Sequence, residues 1–189
     1  HVGGFIGNYG ATAAARKLEL RVGGSGINAG GDVEAMKVNV GGQINMSKQP
    51  IANAYYTAAT QDGAYASANR NNIDCKPGGT HVNVGNMYDA STGRFTVPVA
   101  GRYFFSTSIV RNSSYTGTAQ LLYLSKNGYN TGNLVGANAE GTTNTQISVN
   151  VTVNLAANDT VAAVLYYASG SFALLSSTPR NYFHGHLIG

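Results

Sequence analysis

Tryptophan is absent from this chain, cysteine occurs once, proline four times, and charged residues make up only 11% of its 189 positions. Each shortage excludes something. Cys75 alone cannot close an internal disulfide, so the fold must rest on its core and on neighbouring chains. With no base near it in sequence, Cys75 reads as an ordinary buried or turn thiol. No apolar run is long enough to cross a bilayer as a helix, and the blocks of a secretory signal are not recognisable, so neither membrane insertion nor a leader within the chain is expected. Helical pattern is equally scarce. Ala11 to Lys17 is the one helix-like stretch, and it suits a single turn or an extended linker. A start at His1 in place of Met leads to the expectation of a C-terminal part of a longer polypeptide.

Catalytic constellations are missing too. Asp32, Asp62, Asp74, Asp89 and Asp159 mostly stand in turn-like contexts beside Gly, Asn or Ser, and Asn158-Asp159 reads as a hairpin turn, so no pair of carboxylates is set up for acid–base work. There is no Gly-x-Ser-x-Gly elbow, phosphate loop or Cys-x-x-Cys, and the Gly-Gly pairs lack the helix that a phosphate cradle needs. The chain is therefore not expected to be an enzyme. No acidic cluster has calcium-loop spacing, and no resident cofactor is expected. The net charge of +4 comes from cations scattered singly, among them Arg16, Arg21, Lys37, Arg70, Arg94, Arg111 and Arg180. Nucleic-acid binding needs such charges clustered with aromatics, so it is not expected; weak attraction to anionic cell-surface sugars fits better.

What the chain has in abundance is 25 Gly and 12 Tyr among many Asn, Ser and Thr, a balance that suits short strands and tight turns. The most informative stretch is Asn83 to Phe105. Ser91-Thr92-Gly93 supplies a turn, Phe95-Thr96-Val97 resumes a period-two strand that Pro98 closes, and after Gly101 the set Tyr103, Phe105, Thr107, Ile109 alternates with Arg102, Phe104, Ser106, Ser108. Strands are predicted at about 95–98, 101–111, 119–126, 133–138, 146–155, 160–168 and 181–188. The fold class is all-β, with a jelly-roll sandwich in prospect.

Asn83, Tyr88, Phe95, Gly101, Tyr103 and Phe105 resemble, position by position, the signature of the globular head of complement component 1q and its trimeric tumour-necrosis-factor-like relatives. Leu124-Ser-Lys-Asn-Gly128 is similar to that family's Lys-Asn-Gly hairpin, and Tyr182-Phe-His-Gly-His-Leu-Ile188 to its Phe-x-Gly-x-Leu closing strand. Two positions depart, since the leading Phe falls on Pro77 and the last aromatic on Thr107. The resemblance implies a jelly-roll head over 52–189, assembled as a homotrimer. Residues 1–51 would be a Gly-rich β stalk, with strands at Leu18–Val22 and around Gly41-Gly42 that complete their pairing across chains, and with Pro50 marking a boundary. Met36 to Pro50 is similar to the segment preceding such heads in tail fibres of marine and cyanobacterial phages.

Chain order then locates a binding surface. In a jelly roll every second loop falls at the same pole, which gathers Asn112 to Thr118, Glu140 to Thr145, and Ala168 to about Arg180 away from the stalk. Asn112, Ser114, Tyr115, Asn144, Tyr167 and Phe172 are the candidate receptor-binding residues there, because aromatic faces among adaptable polar groups suit glycan or protein recognition. In the closing strand, His184 and His186 stand two apart and face the same way, so three copies around an axis would present rings of imidazoles able to hold a transition-metal ion. The resulting expectation is a virion attachment component, the distal tip of a phage tail fibre, bound to a host cell-surface glycan or protein and joined to other virion proteins through its N-terminal part. Two alternatives stay open: a structural virion protein of the same fold, and a secreted complement-1q-like lectin or signalling ligand.

Overall fold

A computed structural model describes residues 5–8, 17–22, 33–38, 42–46, 48–56, 65–66, 71–74, 79–110, 118–128, 134–140, 146–169, 171–172 and 180–189. The chain divides into two compact units, His1–Gln49 and Pro50–Gly189.

The first unit holds β1 (Phe5–Asn8), β2 (Lys17–Val22), β3 (Val33–Val38) and β4 (Ile44–Asn45). These strands pair antiparallel in the order β1-β2-β3-β4 within one chain. Pairing within one chain thus accounts for the ladder among these four strands, and the outer edges of β1 and β4 are where pairing with other copies would add. Of the helix-like stretch, Lys17 opens β2 and the residues before it lie outside the described residues.

The second unit carries β5 (Ile51–Tyr55), β6 (Tyr65–Ala66), β7 (Asn71–Asp74), β8 (Gly79–Val84), β9 (Tyr88–Asp89), β10 (Arg94–Thr96), β11 (Gly101–Val110), β12 (Thr118–Lys126), β13 (Leu134–Glu140), β14 (Gln146–Leu155), β15 (Thr160–Ser169), β16 (Ser171–Phe172) and β17 (Tyr182–Leu187). Two antiparallel sheets form its sandwich. One runs β14-β11-β17-β5-β8; the other runs β13-β12-β15-β10-β9, with β7 also paired to β15. All seven strands predicted from alternation are present, displaced by no more than about two residues at either end.

The core lies between these sheets. Tyr103, Phe105, Thr107 and Ile109 of β11 point into it, as do Phe95, Leu122, Leu124, Val161, Leu165 and Phe183, all essentially fully buried. Thr107, standing where the signature has an aromatic, satisfies its hydroxyl by donating to the Tyr182 carbonyl at 3.0 Å. The opposite face of β11 is less open than simple alternation implies, since Ser106, Ser108 and Val110 are buried as well. Tyr182 and Gln146 reach across β11 to Ser106 and Ser108 and cover that flank.

Asn83 explains its place in the signature. Its amide nitrogen donates to the Tyr88 carbonyl at 2.8 Å and its amide oxygen accepts the Tyr88 N–H at 3.0 Å, so a side chain closes the turn that Gly85 and Asn86, both at positive φ, carry around. The Lys-Asn-Gly turn has a similar purpose. Lys126 Nζ lies 2.7 Å from Asp159, Asn127 donates to Asp159 at 2.7 Å, and Asn127 Oδ1 accepts the Thr160 N–H at 2.8 Å. The Asp159 carbonyl accepts the Val97 N–H at 2.9 Å, so three chain reversals at one pole are stapled together.

Replacing Asn83 with Ala removes both bonds to Tyr88 and is expected to lower stability by about 2 kcal/mol, read by urea denaturation; Asn83→Asp, which keeps the acceptor, costs less. The Lys126 ammonium and the Asn127 amide hold the Asp159 carboxyl down at about 2. Its folded pKa lies below its unfolded value of 3.8, so the stabilisation is complete above about pH 5 and lost as pH falls toward 2. The stability gap between wild type and Asp159→Asn is expected to close over that interval; a gap that stays constant to pH 2 contradicts the ion-pair assignment.

Candidate functional site

Strand register fixes what faces outward from the five-stranded sheet. Phe104 stands opposite His186, which stands opposite Ile51 and then Val84; Ser106 leads in the same way to His184, Asn53 and Val82; Ser108 leads to Tyr182 and Tyr55. On the far side of β11 the same rows end in Thr152, Asn150 and Ser148. No Lys, Arg, Asp or Glu stands in these three rows, and Arg102 lies one row beyond. An antiparallel sheet with one face in water ordinarily alternates apolar-in with polar or charged-out, and this face is neutral and partly aromatic.

A cleft of about 350 Å³ opens in it, lined by Asn53, Tyr55, His81, Phe104, Ser106, Tyr182 and His184. Tyr55 stacks on His81 at 4.4 Å between ring centroids. Gly79 permits that stack, because a Cβ there would collide with the Tyr55 ring. Beside the cleft, His184 Nε2 and His186 Nδ1 approach to 2.9 Å, and the Phe104 ring lies 5.4 Å from that of His186. Burial, and then the charge of His186, push the His184 imidazole below its ordinary pKa and favour its neutral form. The expectation that the two histidines share a face is met. Among the described residues no three His, Cys, Asp or Glu side chains converge within one chain.

The pole expected to bind lies at one end of both sheets. Val110 pairs with Gln146, Ser108 with Tyr182, Gln120 with Glu140, and Thr118 with Ser169, so the connections after β11, β13 and β15 all leave from the same edge of the sandwich. Asn112, Ser114, Tyr115 and Asn144 lie outside the described residues. Tyr167 stands near the end of the expected strand, in β15 opposite Gln120 and Asn71, and Phe172 is corrected from loop to strand, in β16 opposite Tyr65. The backbone continues its ladder there because β6 and β7 supply partners that a single sequence does not reveal. The cleft residues Asn53, Tyr55, His81, Phe104, Ser106 and Tyr182 went unidentified in the sequence for a related reason. Their alternation with core positions marks them as outward, but only cross-strand register brings them together.

Comparison with known proteins agrees with this topology. The model of the C1q domain matches residues 55–188. The chain belongs to the C1q domain family. Among solved structures, the globular domain of a zebrafish complement 1qA protein is similar with a TM-score of 0.50 at 16% identity, covering 75% of this chain and 98% of that one. That likeness concerns the fold alone. No curated protein matches the sequence. C1q domains are generally non-enzymatic ligand-binding and assembly modules. The signature residues Asn83, Tyr88, Phe95, Gly101, Tyr103 and Phe105 all fall within the matched segment and hold the turn or the core described above.

Proposed function

We propose that this C1q domain is the recognition head of a homotrimer, binding a cell-surface glycan or protein through the pole at which the β11, β13 and β15 connections leave. The observation that carries the reading is the neutral outer face of the five-stranded sheet. Three rows without a charged side chain, with half-buried Ile51, Val82, Val84, Phe104, Tyr55 and Tyr182, form a surface suited to another copy of the chain. Assembly through this face leaves both poles free and presents every loop in triplicate, so weak contacts gain avidity through effective concentration.

The finer reading is the distal tip of a phage tail fibre, placed in the virion and joined to other virion proteins through its N-terminal unit. It rests on the resemblance read in the sequence from Met36 to Pro50 alone, since the C1q match is equally consistent with its alternatives. A secreted complement-1q-like ligand has the same head and the same neutral face, and a structural virion protein would share the trimer without the receptor.

Light scattering is expected to give three times the 19.6 kDa chain mass, and Ser106→Glu, which places a carboxylate in the middle row, is expected to yield monomer. Labelled trimer is expected to bind susceptible cells saturably, with affinity falling about tenfold or more when Tyr115 and Phe172 are both replaced by Ala and trimer mass is unchanged. A trimer that binds no susceptible bacterium and no animal cell overturns the recognition reading in favour of a purely structural one.

A further inference from the structure

We infer that His184 and His186 form a preorganised imidazole chelate for a divalent transition-metal ion, completed by the same pair from the other copies of the chain. The inference rests on the homotrimer proposed above and deepens it.

The first ground is distance. Nitrogens of two ligands at right angles on a metal, each bonded at about 2.05 Å, are separated by about 2.9 Å. His184 Nε2 and His186 Nδ1 stand 2.9 Å apart. When the donor ring takes the tautomer that carries its proton on the far nitrogen, a small turn about χ2, a soft torsion, aims both facing lone pairs at one point. Neutral imidazole nitrogen is a donor for Zn²⁺, Co²⁺, Ni²⁺ and Fe²⁺, and less so for Mg²⁺ or Ca²⁺, which prefer oxygen.

Position is the second ground. β17 is the central strand of five, with β11 and β14 on one side and β5 and β8 on the other. The pair therefore lies in the middle of the neutral face, where neighbouring copies are proposed to meet. Its surroundings hold it in place: Phe104 and Ile51 flank His186 across the strands, and Ser106 and Asn53 flank His184. In the single chain the two imidazoles hydrogen-bond to each other, and no carboxylate stands in the surrounding rows to hold either ring in its place. Two nitrogens from one chain leave a metal under-coordinated; two from each of three chains fill an octahedron.

The metal also gives assembly a specific register. A hydrophobic face permits rotation and sliding of one copy on another, whereas six directed bonds from one point fix both.

The test uses the full chain, stripped with a chelator and titrated with Co²⁺ or Ni²⁺, with light scattering on the same sample. Bound metal is read by elemental analysis and by the weak visible absorption of six-coordinate Co²⁺. One ion per three chains on a trimer, abolished in His184→Gln/His186→Gln while trimer mass persists, is the expected result. A trimer that takes up no metal, or a double variant that binds as much as wild type, overturns the chelate and leaves the trimer standing. One ion per chain overturns the sharing between copies. A monomer by light scattering removes the trimer reading and the shared site together.

Discussion

The head depends on the absence of a side chain at Gly185. A Cβ there would lie 2.5 Å from the Phe105 ring and 3.1 Å from that of Phe95, so only glycine lets β17 pass directly over the aromatic cluster. Phe95 comes from one sheet, Phe105 and Phe183 from the other, and the three meet edge-to-face or tilted, with centroids 4.4 to 6.2 Å apart. This cluster is what joins the sheets, and each ring excludes more apolar surface from water than any aliphatic residue in the core. Closing strand and core are thus one device. With Phe183 and Gly185 committed inward, strand alternation leaves His184 and His186 no choice but the outer face.

The same commitment shapes the outer surface. The five-stranded sheet cannot curl away from its partner without opening the Phe95–Phe105–Phe183 contact, so its outward rows are presented at fixed register on a rigid backing. A rigid, uncharged face with aromatic relief differs from a solvated one in a specific way. Water solvates it poorly, and a charge introduced there has nowhere to go once the face is covered. The neutral rows and the paired imidazoles are consistent with one arrangement, the proposed homotrimer, in which this exterior of the single chain becomes an interior.

Much of the architecture was legible in the sequence because its strands alternate cleanly and its turns carry Gly, Asn and Asp. The Tyr103-Phe105-Thr107-Ile109 set reads as core at sight, and Asn158-Asp159 reads as a turn. What resisted reading was anything that depends on which strand lies beside which. β5, β7 and β8 alternate weakly and were not delimited, and the cleft between Tyr55, His81, Phe104 and Tyr182 draws on four strands far apart in sequence. Ser106 and Ser108 illustrate the limit: polar residues at outward positions, they are buried by lateral neighbours and not by the sandwich core. Phe172 illustrates another, since a ladder can resume past the point where hydrophobic alternation stops signalling it.

The two poles of the sandwich are built on different terms, and this difference bears on the proposed recognition role. At one pole, Lys126, Asn127, Asp159 and Val97 lock three reversals, while the Leu187 N–H donates to the Pro50 carbonyl and the Arg102 N–H to that of Gly189. Short turns with side chains spent on one another leave little to offer a ligand. At the other pole the strands of both sheets end together, and the connections that follow β5, β11, β13 and β16 are longer than turn geometry requires. Length beyond what closure needs is where a scaffold can vary without loss of stability, because the cost of a longer loop rises only logarithmically. Chain entry and internal clamping at the first pole thus leave the second as the place where binding chemistry can change while the core, the neutral face and its paired imidazoles stay fixed.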